Sequence, residues 1–298
     1  MEMTMSFAAR PTHSEAMLPL SGGQMRYVVD DYSDPWGTAD TVIMLHGIAE
    51  EACIWRPFIP YLARQYRVVT VDLRGFGASS ALPPGGKFAL ADWADDMEAL
   101  VSHLQAERVH LVATKLGALI AFEIAQRQHG WVKSLSLPGM LASPAGSLAA
   151  WIDDWIKLVE SGGSREWAAQ TMPGRMADNL TPAATQWWTD LMGRAPAETV
   201  IHCFRMLPGI KEAPHPERIL CPTLFLAAEG DAYVSGKFDQ RPSASAIAGL
   251  QRKVPNSILE TIPANSYHIA ATHPDACARK IAAFIAENAG RKTAESKQ

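Results

Sequence analysis

The sequence has few cysteines, and they are far apart. Cys53, Cys203, Cys221 and Cys277 are the four in 298 residues, and they form neither a Cys-x-x-Cys pair nor a Cys/His cluster. Closely spaced sets of that kind are typical of zinc sites and redox motifs, and a chain of this length is not a short disulfide scaffold. The sequence therefore predicts reduced structural cysteines, and it predicts neither a metal site nor a cofactor.

Long apolar runs and an excess of one charge are also missing. No segment approaches the length of about 20 apolar residues that spans a bilayer, and residues 1–20 lack the features of a secretory signal. The 27 Lys and Arg against 31 Asp and Glu give a formal charge of -4, without a basic stripe. We expect a cytoplasmic protein that binds neither membranes nor nucleic acids, and a homo-oligomer is compatible with the sequence.

Hydrophobic residues make up 48% of the chain, which is enough for one large core. Apolar, β-branched runs alternate with amphipathic stretches, a pattern typical of a mainly parallel sheet covered by helices. Strands are predicted at 25–29, 41–45, 67–71, 108–113, 132–137, 222–227 and 257–262. Helices are predicted at 54–64, 90–105, 116–127, 243–250 and 274–288.

The alternation stops between residues 141 and 210, where the pattern is helical and rich in tryptophan. This predicts a helical cap inserted between two strands, so that the core comprises residues 20–140 and 211–290, with flexible ends at 1–19 and 291–298. Four of its tryptophans are candidates for substrate contact under the cap: Trp151, Trp155, Trp187 and Trp188. The alternative for each of them is packing inside the small core of the cap itself.

Lys115 occupies the position that says most about function. Residues 109–121 have the pattern of an apolar strand, a tight turn between the small residues Ala113 and Gly117, and a helix start. That arrangement is typical of a nucleophile elbow, whose usual sequence is Gly-x-Ser-x-Gly. A lysine therefore stands at the apex in place of serine. Thr114, the nearest hydroxyl, lies one position early and would point away from the apex.

An oxyanion hole is predicted beside the elbow. The strand that ends at Leu45 runs directly into His46 and Gly47. A turn there can aim the backbone N–H of Ile48 at a substrate carbonyl, and the N–H of Leu116 is the second donor. His46 and Gly47 are accordingly candidates for substrate binding.

An acid and a histidine follow late in the chain. A strand pattern ends in Glu229-Gly230-Asp231, and His268 lies between the last predicted strand and the last helix. Asp231 can orient the imidazole of His268 and stabilise its charged form, which is the task of the acid in a catalytic triad. Glu229 is the alternative acid.

These motifs together resemble those of the α/β-hydrolase superfamily, within it the capped small-molecule esterases, enol-lactonases and carbon–carbon bond hydrolases. The resemblance depends on the order of elbow, acid and histidine along the chain, and it covers roughly residues 25–288. It implies an α/β-hydrolase fold with a mostly parallel eight-stranded sheet flanked by helices and an inserted helical cap. It also implies an oxyanion hole at Ile48 and Leu116, and Asp231 and His268 as triad members.

The departures from the family pattern lie at the elbow. Lys115 replaces the nucleophile, Ala113 the first glycine and Ala118 a frequent additional glycine. An amine that attacked an ester would form an amide with the enzyme, and amides hydrolyse far more slowly than acyl-serine esters. The usual acyl-enzyme mechanism is therefore not expected.

Three functions are compatible with this lysine. The leading hypothesis is a hydrolase of a small carbonyl substrate, an ester, a lactone or the C–C bond of a keto acid, in which His268 with Asp231 activates water and charged Lys115 stabilises the oxyanion. In the second, Lys115 forms a Schiff base and supports a lyase, decarboxylase or isomerase reaction. In the third, the chain is a pseudoenzyme that only binds a ligand, and a deliberate replacement of serine would have the same appearance.

Overall fold

Eight strands form the centre of the molecule. The computed structural model describes residues 12–83, 88–143, 151–176, 180–210, 215–229, 244–266 and 268–289. The strands in chain order are β1 (His13–Leu20), β2 (Gly23–Asp30), β3 (Thr41–Leu45), β4 (Arg67–Val71), β5 (Val109–Ala113), β6 (Val132–Pro138), β7 (Thr223–Ala228) and β8 (Ser257–Ile262). They form one sheet in the order β1-β2-β4-β3-β5-β6-β7-β8.

The sheet is parallel from β4 to β8 and antiparallel at the β1 and β2 edge. Strands β3 and β5 are buried along their whole length, as expected for central parallel strands covered on both faces. Leu45 pairs with Ala113, so these two strands end level with each other. The predicted eight-stranded, mostly parallel α/β architecture is confirmed, and the residues after β3 and β5 lie at the same edge.

Strand β1 was not among the predicted strands, and the expectation that residues 1–19 form a flexible end is wrong from His13 onward. The strand pairs antiparallel with β2 through a turn in which Gly22 has a φ of 79°. Leu18 is its one buried hydrophobic residue, because the strand lies at the edge of the sheet. Such weak apolar alternation gives little signal in a sequence.

Helices cover the sheet between the strands. They are α1 (Ile59–Leu62), α2 (Leu90–His103), α3 (Leu116–Gln126), α4 (Ile152–Met176), α5 (Pro182–Gly193), α6 (Ala197–Met206), α7 (Ala244–Gln251), α8 (Ile269–Thr272) and α9 (Pro274–Ala289). The helix predicted at 54–64 is instead a 3-10 turn, Ala52–Trp55, followed by the short α1. Pro57 lies between them and lacks the N–H that a continuous helix requires. Within the described ranges, no helix has the length and apolar character needed to cross a membrane.

Helices α4, α5 and α6 lie between β6 and β7, and we call them the cap. Helix α4 is broken at Gly163, whose φ of 73° lies outside the helical range. Trp155, Trp167 and Phe204 pack against one another with ring centroids 5.2 to 5.7 Å apart. The cap therefore has an aromatic core of its own.

Candidate active site

The turn between β5 and α3 is sharp and strained. Lys115, its apex, has a φ of 51° and a ψ of -112°, a region that residues other than glycine rarely adopt. Two residues later, a Cβ added to Gly117 would lie 2.4 Å from the carbonyl oxygen of Leu45. Only glycine allows the first turn of α3 to approach β3 this closely. The backbone thus forms the elbow that the sequence predicted.

The Lys115 side chain points into the protein. The residue is 5% exposed, and its Nζ donates a hydrogen bond of 2.7 Å to Oε1 of Glu50. The same Nζ contacts Nε2 of His268, 153 residues further along the chain. The fold therefore joins the elbow lysine to the predicted histidine.

Glu50 is a site residue that the sequence reasoning missed. Its Oε1 lies 2.9 Å from Nε2 of His268, in addition to the bond from Lys115, so one carboxylate oxygen contacts both groups. Its side chain is fully buried. One signal was available: a buried ammonium needs a counter-charge, and Glu50 lies two residues after the turn at His46–Ile48 that was predicted to supply an oxyanion donor.

Burial and mutual charge set the protonation of this cluster. Burial alone would raise the pKa of Glu50, but Lys115 and His268 outweigh it and hold that pKa well below its usual range. Burial, reinforced by the positive charge of Lys115, lowers the pKa of His268 to about 3, against the opposing effect of Glu50. At neutral pH the site therefore contains an anionic Glu50 and a neutral imidazole.

His46 and Gly47 shape the loop that carries Glu50. The imidazole of His46 is buried, with Nδ1 2.7 Å from the carbonyl oxygen of Gly47, while Nε2 accepts the N–H of Leu73 at 2.9 Å. The N–H of Gly47 donates to Oε2 of Glu50 at 2.7 Å. These contacts brace the turn after β3, and substrate binding by either residue stays a prediction.

The two predicted oxyanion donors are close in sequence to residues of this cluster, Ile48 to Glu50 and Leu116 to Lys115. Ile48 follows Gly47 in the turn after β3, and Leu116 is the first residue of α3. An N–H in the first turn of a helix has no partner within that helix, so the amide of Leu116 is suited to bind an anion. The oxyanion hole stays a prediction.

The predicted acid, Asp231, lies outside the described residues. Strand β7 ends at Ala228, three positions before it. The alternative acid, Glu229, is exposed, and its N–H donates to the carbonyl oxygen of Ile262 at 2.8 Å. The role of Asp231 therefore stays a prediction.

Trp188 is the cap tryptophan that contacts the site. Its ring lies edge to face against the imidazole of His268, with centroids 5.0 Å apart. Trp187 packs on Trp188 at 5.2 Å, and the guanidinium of Arg56 covers its ring at 4.2 Å. Of the predicted substrate-binding tryptophans, Trp188 is thus the one placed over the histidine.

The other two predicted tryptophans lie elsewhere in the cap. Trp155 is buried in the aromatic core described above, where Trp167 and Phe204 surround it. Trp151 precedes α4 and is half-buried against the core. Substrate binding by Trp151 and Trp155 stays a prediction, and packing accounts for the position of Trp155.

Hydrogen bonds also connect the cap to the loop of His268. The backbone N–H of His268 donates to Oγ of Ser266 at 3.0 Å, and that hydroxyl donates to the carbonyl oxygen of Arg175 in α4 at 3.0 Å. The positive charge of Arg175 also contributes to the lowered pKa of His268, after the larger effects of burial and Lys115. The cap is therefore part of the environment of the histidine.

The cluster is closed to solvent. Glu50 is 2% exposed and His268 is 1% exposed. A cavity of about 820 Å³ lies elsewhere, between residues 81–83 and 88–89 on one side and α6 on the other, where Leu82, Phe88 and His202 are among its lining residues. Across the described ranges, no group of three or more His, Cys, Asp or Glu side chains is arranged to hold a metal ion.

Comparison with known proteins gives a family and several similar folds. Residues 40–201 match the family model for the alpha/beta hydrolase fold. A haloalkane dehalogenase from Sphingobium indicum is 24% identical over 94% of this chain and 98% of its own. A soluble epoxide hydrolase from Corynebacterium sp. is 33% identical, over 44% of this chain and 42% of its own.

Solved structures also resemble most of the chain. The enol-lactonase from Burkholderia xenovorans LB400 has a TM-score of 0.79 at 17% identity, covering 91% of this chain and all of that one. A thermophilic esterase from Thermogutta terrifontis has a TM-score of 0.75 at 20% identity, covering 92% of this chain and 98% of that one. Similarity at these identities shows a shared fold.

Proposed function

Because the chain belongs to the α/β-hydrolase fold family, we propose that it hydrolyses a small carbonyl compound without forming a covalent bond to Lys115. The substrate is an ester, a lactone or a keto acid with a cleavable C–C bond. The observation that carries the proposal is the contact of the Lys115 amine with both Glu50 and the neutral imidazole of His268. The related dehalogenase, epoxide hydrolase and enol-lactonase are named for reactions of small molecules, which supports the substrate size.

The carboxylate next to Lys115 favours the non-covalent mechanism over a Schiff base. An opposite charge within hydrogen-bond distance stabilises an ammonium. An ammonium has no lone pair with which to attack a carbonyl carbon, but it stabilises negative charge that develops on the carbonyl oxygen. Lys115 thus acts as an electrostatic group, and the amide intermediate of a covalent route is avoided.

In the proposed reaction, His268 is the general base. Its Nε2 takes a proton from water while the water oxygen attacks the carbonyl carbon, and the Lys115 ammonium stabilises the resulting oxyanion with the amides of Ile48 and Leu116. As the tetrahedral intermediate collapses, the leaving group takes that proton from His268. Asp231, three residues beyond β7, orients the imidazole through Nδ1 in this proposal.

Substrate access requires the cap to move. The reacting groups are buried in the described state, and Trp188 lies directly against His268. Caps and lids in enzymes commonly exclude water from the reaction and open for exchange. We propose that displacement of Trp188 admits substrate to the Lys115 amine.

The test is turnover of a panel of activated esters, lactones and 2-keto acids in water enriched in oxygen-18. The proposal expects one labelled oxygen in the released acid, and intact-mass spectra of quenched enzyme without an acyl adduct. The Lys115→Ala variant is expected to lose this activity, while Lys115→Ser is the matched variant in which an acyl-enzyme can form.

Two results would overturn the proposal. A borohydride-stabilised adduct on Lys115 during turnover of a ketone would establish a Schiff-base enzyme. Ligand binding without product across the whole panel, unchanged by Lys115→Ala, would establish a binding protein.

A further inference from the structure

Glu50 contacts both Lys115 and His268, but none of the steps of the proposed reaction uses its carboxylate. We propose that Glu50 is a positioning residue, which keeps Lys115 an ammonium and orients it between the predicted oxyanion donors and His268. This inference rests on the proposed function, in which the positive charge of Lys115 stabilises the oxyanion. Glu50 acts through Lys115 and forms no bond to the substrate.

Local backbone geometry aims Glu50 at the lysine. Ala49, just before it, has a φ of 60°, a left-handed conformation that turns the chain back toward Gly47. The N–H of Gly47 then binds Oε2 of Glu50, which leaves Oε1 for Lys115 and His268. A backbone donor bound to a carboxylate favours its ionised form. The loop therefore presents a fixed negative charge to the elbow.

The absence of a side chain at Gly47 is part of this arrangement. A Cβ at this position would lie 3.0 Å from Oε2 of Glu50 and 3.1 Å from Cδ of Lys115. Contacts this short would require the two side chains to shift by a few tenths of an ångström. Gly47 therefore allows the ammonium and the carboxylate to pack against the same stretch of backbone.

Burial makes the pairing decisive for the chemistry of the lysine. An ammonium with almost no solvent contact is costly unless a nearby anion compensates it, and it otherwise loses its proton. His268, held neutral, supplies no compensating negative charge. Among the described residues, Glu50 is the carboxylate bonded to Lys115. Its removal is expected to shift the balance at Lys115 from the ammonium toward the neutral amine.

The test is an NMR pH titration of enzyme labelled with ¹⁵N at lysine side chains. The Lys115 signal is assigned by its loss in Lys115→Met, and its titration midpoint is compared in the parent enzyme and in Glu50→Gln. We expect the midpoint to move to lower pH in Glu50→Gln, because the amide removes the compensating charge. Glu50→Asp, which keeps a carboxylate, is expected to retain a midpoint nearer that of the parent. Equal midpoints in all three proteins would overturn the proposal.

Reductive methylation with formaldehyde and cyanoborohydride gives a second readout. The peptide that contains Lys115 is expected to be modified faster in Glu50→Gln than in the parent, and the exposed Lys157 serves as the internal control. An unchanged ratio of the two rates would contradict the role of Glu50. If Glu50→Gln does not fold, Glu50→Asp is measured in both experiments, with a smaller change in the same direction expected.

These measurements do not depend on turnover. A lowered midpoint in Glu50→Gln, together with no hydrolysis by the parent enzyme, would support the role of Glu50 and reject the proposed function. Hydrolysis by the parent enzyme, together with an unchanged midpoint in Glu50→Gln, would support the proposed function and reject the role of Glu50. With both supported, the activity of Glu50→Gln is expected to decline at lower pH than that of the parent, as Lys115 loses its proton.

Discussion

Strand β5 carries a buried histidine cluster at one end and the elbow at the other. Near its start, Nδ1 of His110 lies 2.8 Å from Oγ of Ser134, and Nε2 lies 3.2 Å from Oδ2 of Asp40. This cluster contains the three residue types of a hydrolase triad. Beyond its end, Lys115 contacts a histidine and a carboxylate.

The difference between the two ends lies in the backbone. In parallel α/β sheets, ligands bind beyond the carboxyl ends of the strands, where helices begin. Lys115 lies there, on a strained turn ahead of α3, whereas His110 lies within a strand that is buried on both faces. Residue types alone therefore do not distinguish the two clusters, whereas their positions in the fold favour the elbow end as the active site.

The sharpest test of this comparison replaces the histidine of each cluster, His268 at the elbow and His110 near the start of β5. His268→Asn is expected to lower kcat/KM by about 10²- to 10⁴-fold, because a positioned general base typically contributes that factor. His110→Asn is expected to leave kcat/KM close to that of the parent. Steady-state kinetics of the two variants check both values. Equal losses would contradict the assignment of function to the elbow end.

The next test separates activity from stability at the elbow. Lys115→Met is expected to lower kcat by about 10²- to 10³-fold, through loss of an oxyanion-stabilising group. It should also lower the free energy of unfolding by about 3–5 kcal/mol, because Glu50 becomes an unpaired buried charge. In Lys115→Met/Glu50→Leu, urea denaturation should show recovered stability while kcat stays low. Recovery of both would mean that the lysine supports only the fold.

The pH dependence of stability follows from the neutral imidazole at the site. The pKa of His268 is about 3 in the folded protein, against about 6.5 when unfolded, so the unfolded chain binds the extra proton first. Its contribution to stability is complete above pH 6.5 and declines as the pH falls toward 3. The lowered pKa of Glu50 acts in the same direction below about pH 4.5.

Denaturation curves measured between pH 7 and pH 4 check this expectation. The free energy of unfolding should fall with pH, and His268→Asn should show a shallower fall. The buried His46 and His110 also have lowered pKa values, so part of the slope should persist in that variant. A slope unchanged by His268→Asn would show that this imidazole is not held neutral in the folded protein.

The smallest effect is expected at the start of β5. Ser134→Ala removes the hydroxyl that contacts His110 and should lower the free energy of unfolding by about 1–3 kcal/mol, the cost of an unsatisfied buried polar group. Activity should not change. A marked loss of activity at temperatures where the variant is fully folded would assign a functional role to this cluster.

Much of the fold could be predicted because its signals are local. The strands Thr41–Leu45 and Arg67–Val71 match the predicted strands residue for residue, since central parallel strands are largely apolar. The elbow could also be predicted, because a tight strand-to-helix turn needs small residues at fixed spacing. Edge strand β1 lacks such a pattern and was not predicted.

The site could be predicted only in part, because its key contact is not local. Glu50 and Lys115 are 65 residues apart, and no spacing rule connects them. Their approach depends on the pairing of β3 with β5 and on the backward turn at Ala49. The division of the cap tryptophans between Trp188, against the histidine, and Trp155, in the cap core, likewise depends on helix packing.

The elbow holds its shape independently of the head group at its apex. Its geometry comes from the φ of residue 115 and from the close approach of Gly117 to Leu45, neither of which involves the lysine amine. Side chains of different chemistry can therefore be placed at this one position, provided that the buried Glu50 is given another partner or is replaced by a neutral residue. The chain is for that reason a suitable host for installing new reactive groups, including noncanonical amino acids, at a buried position.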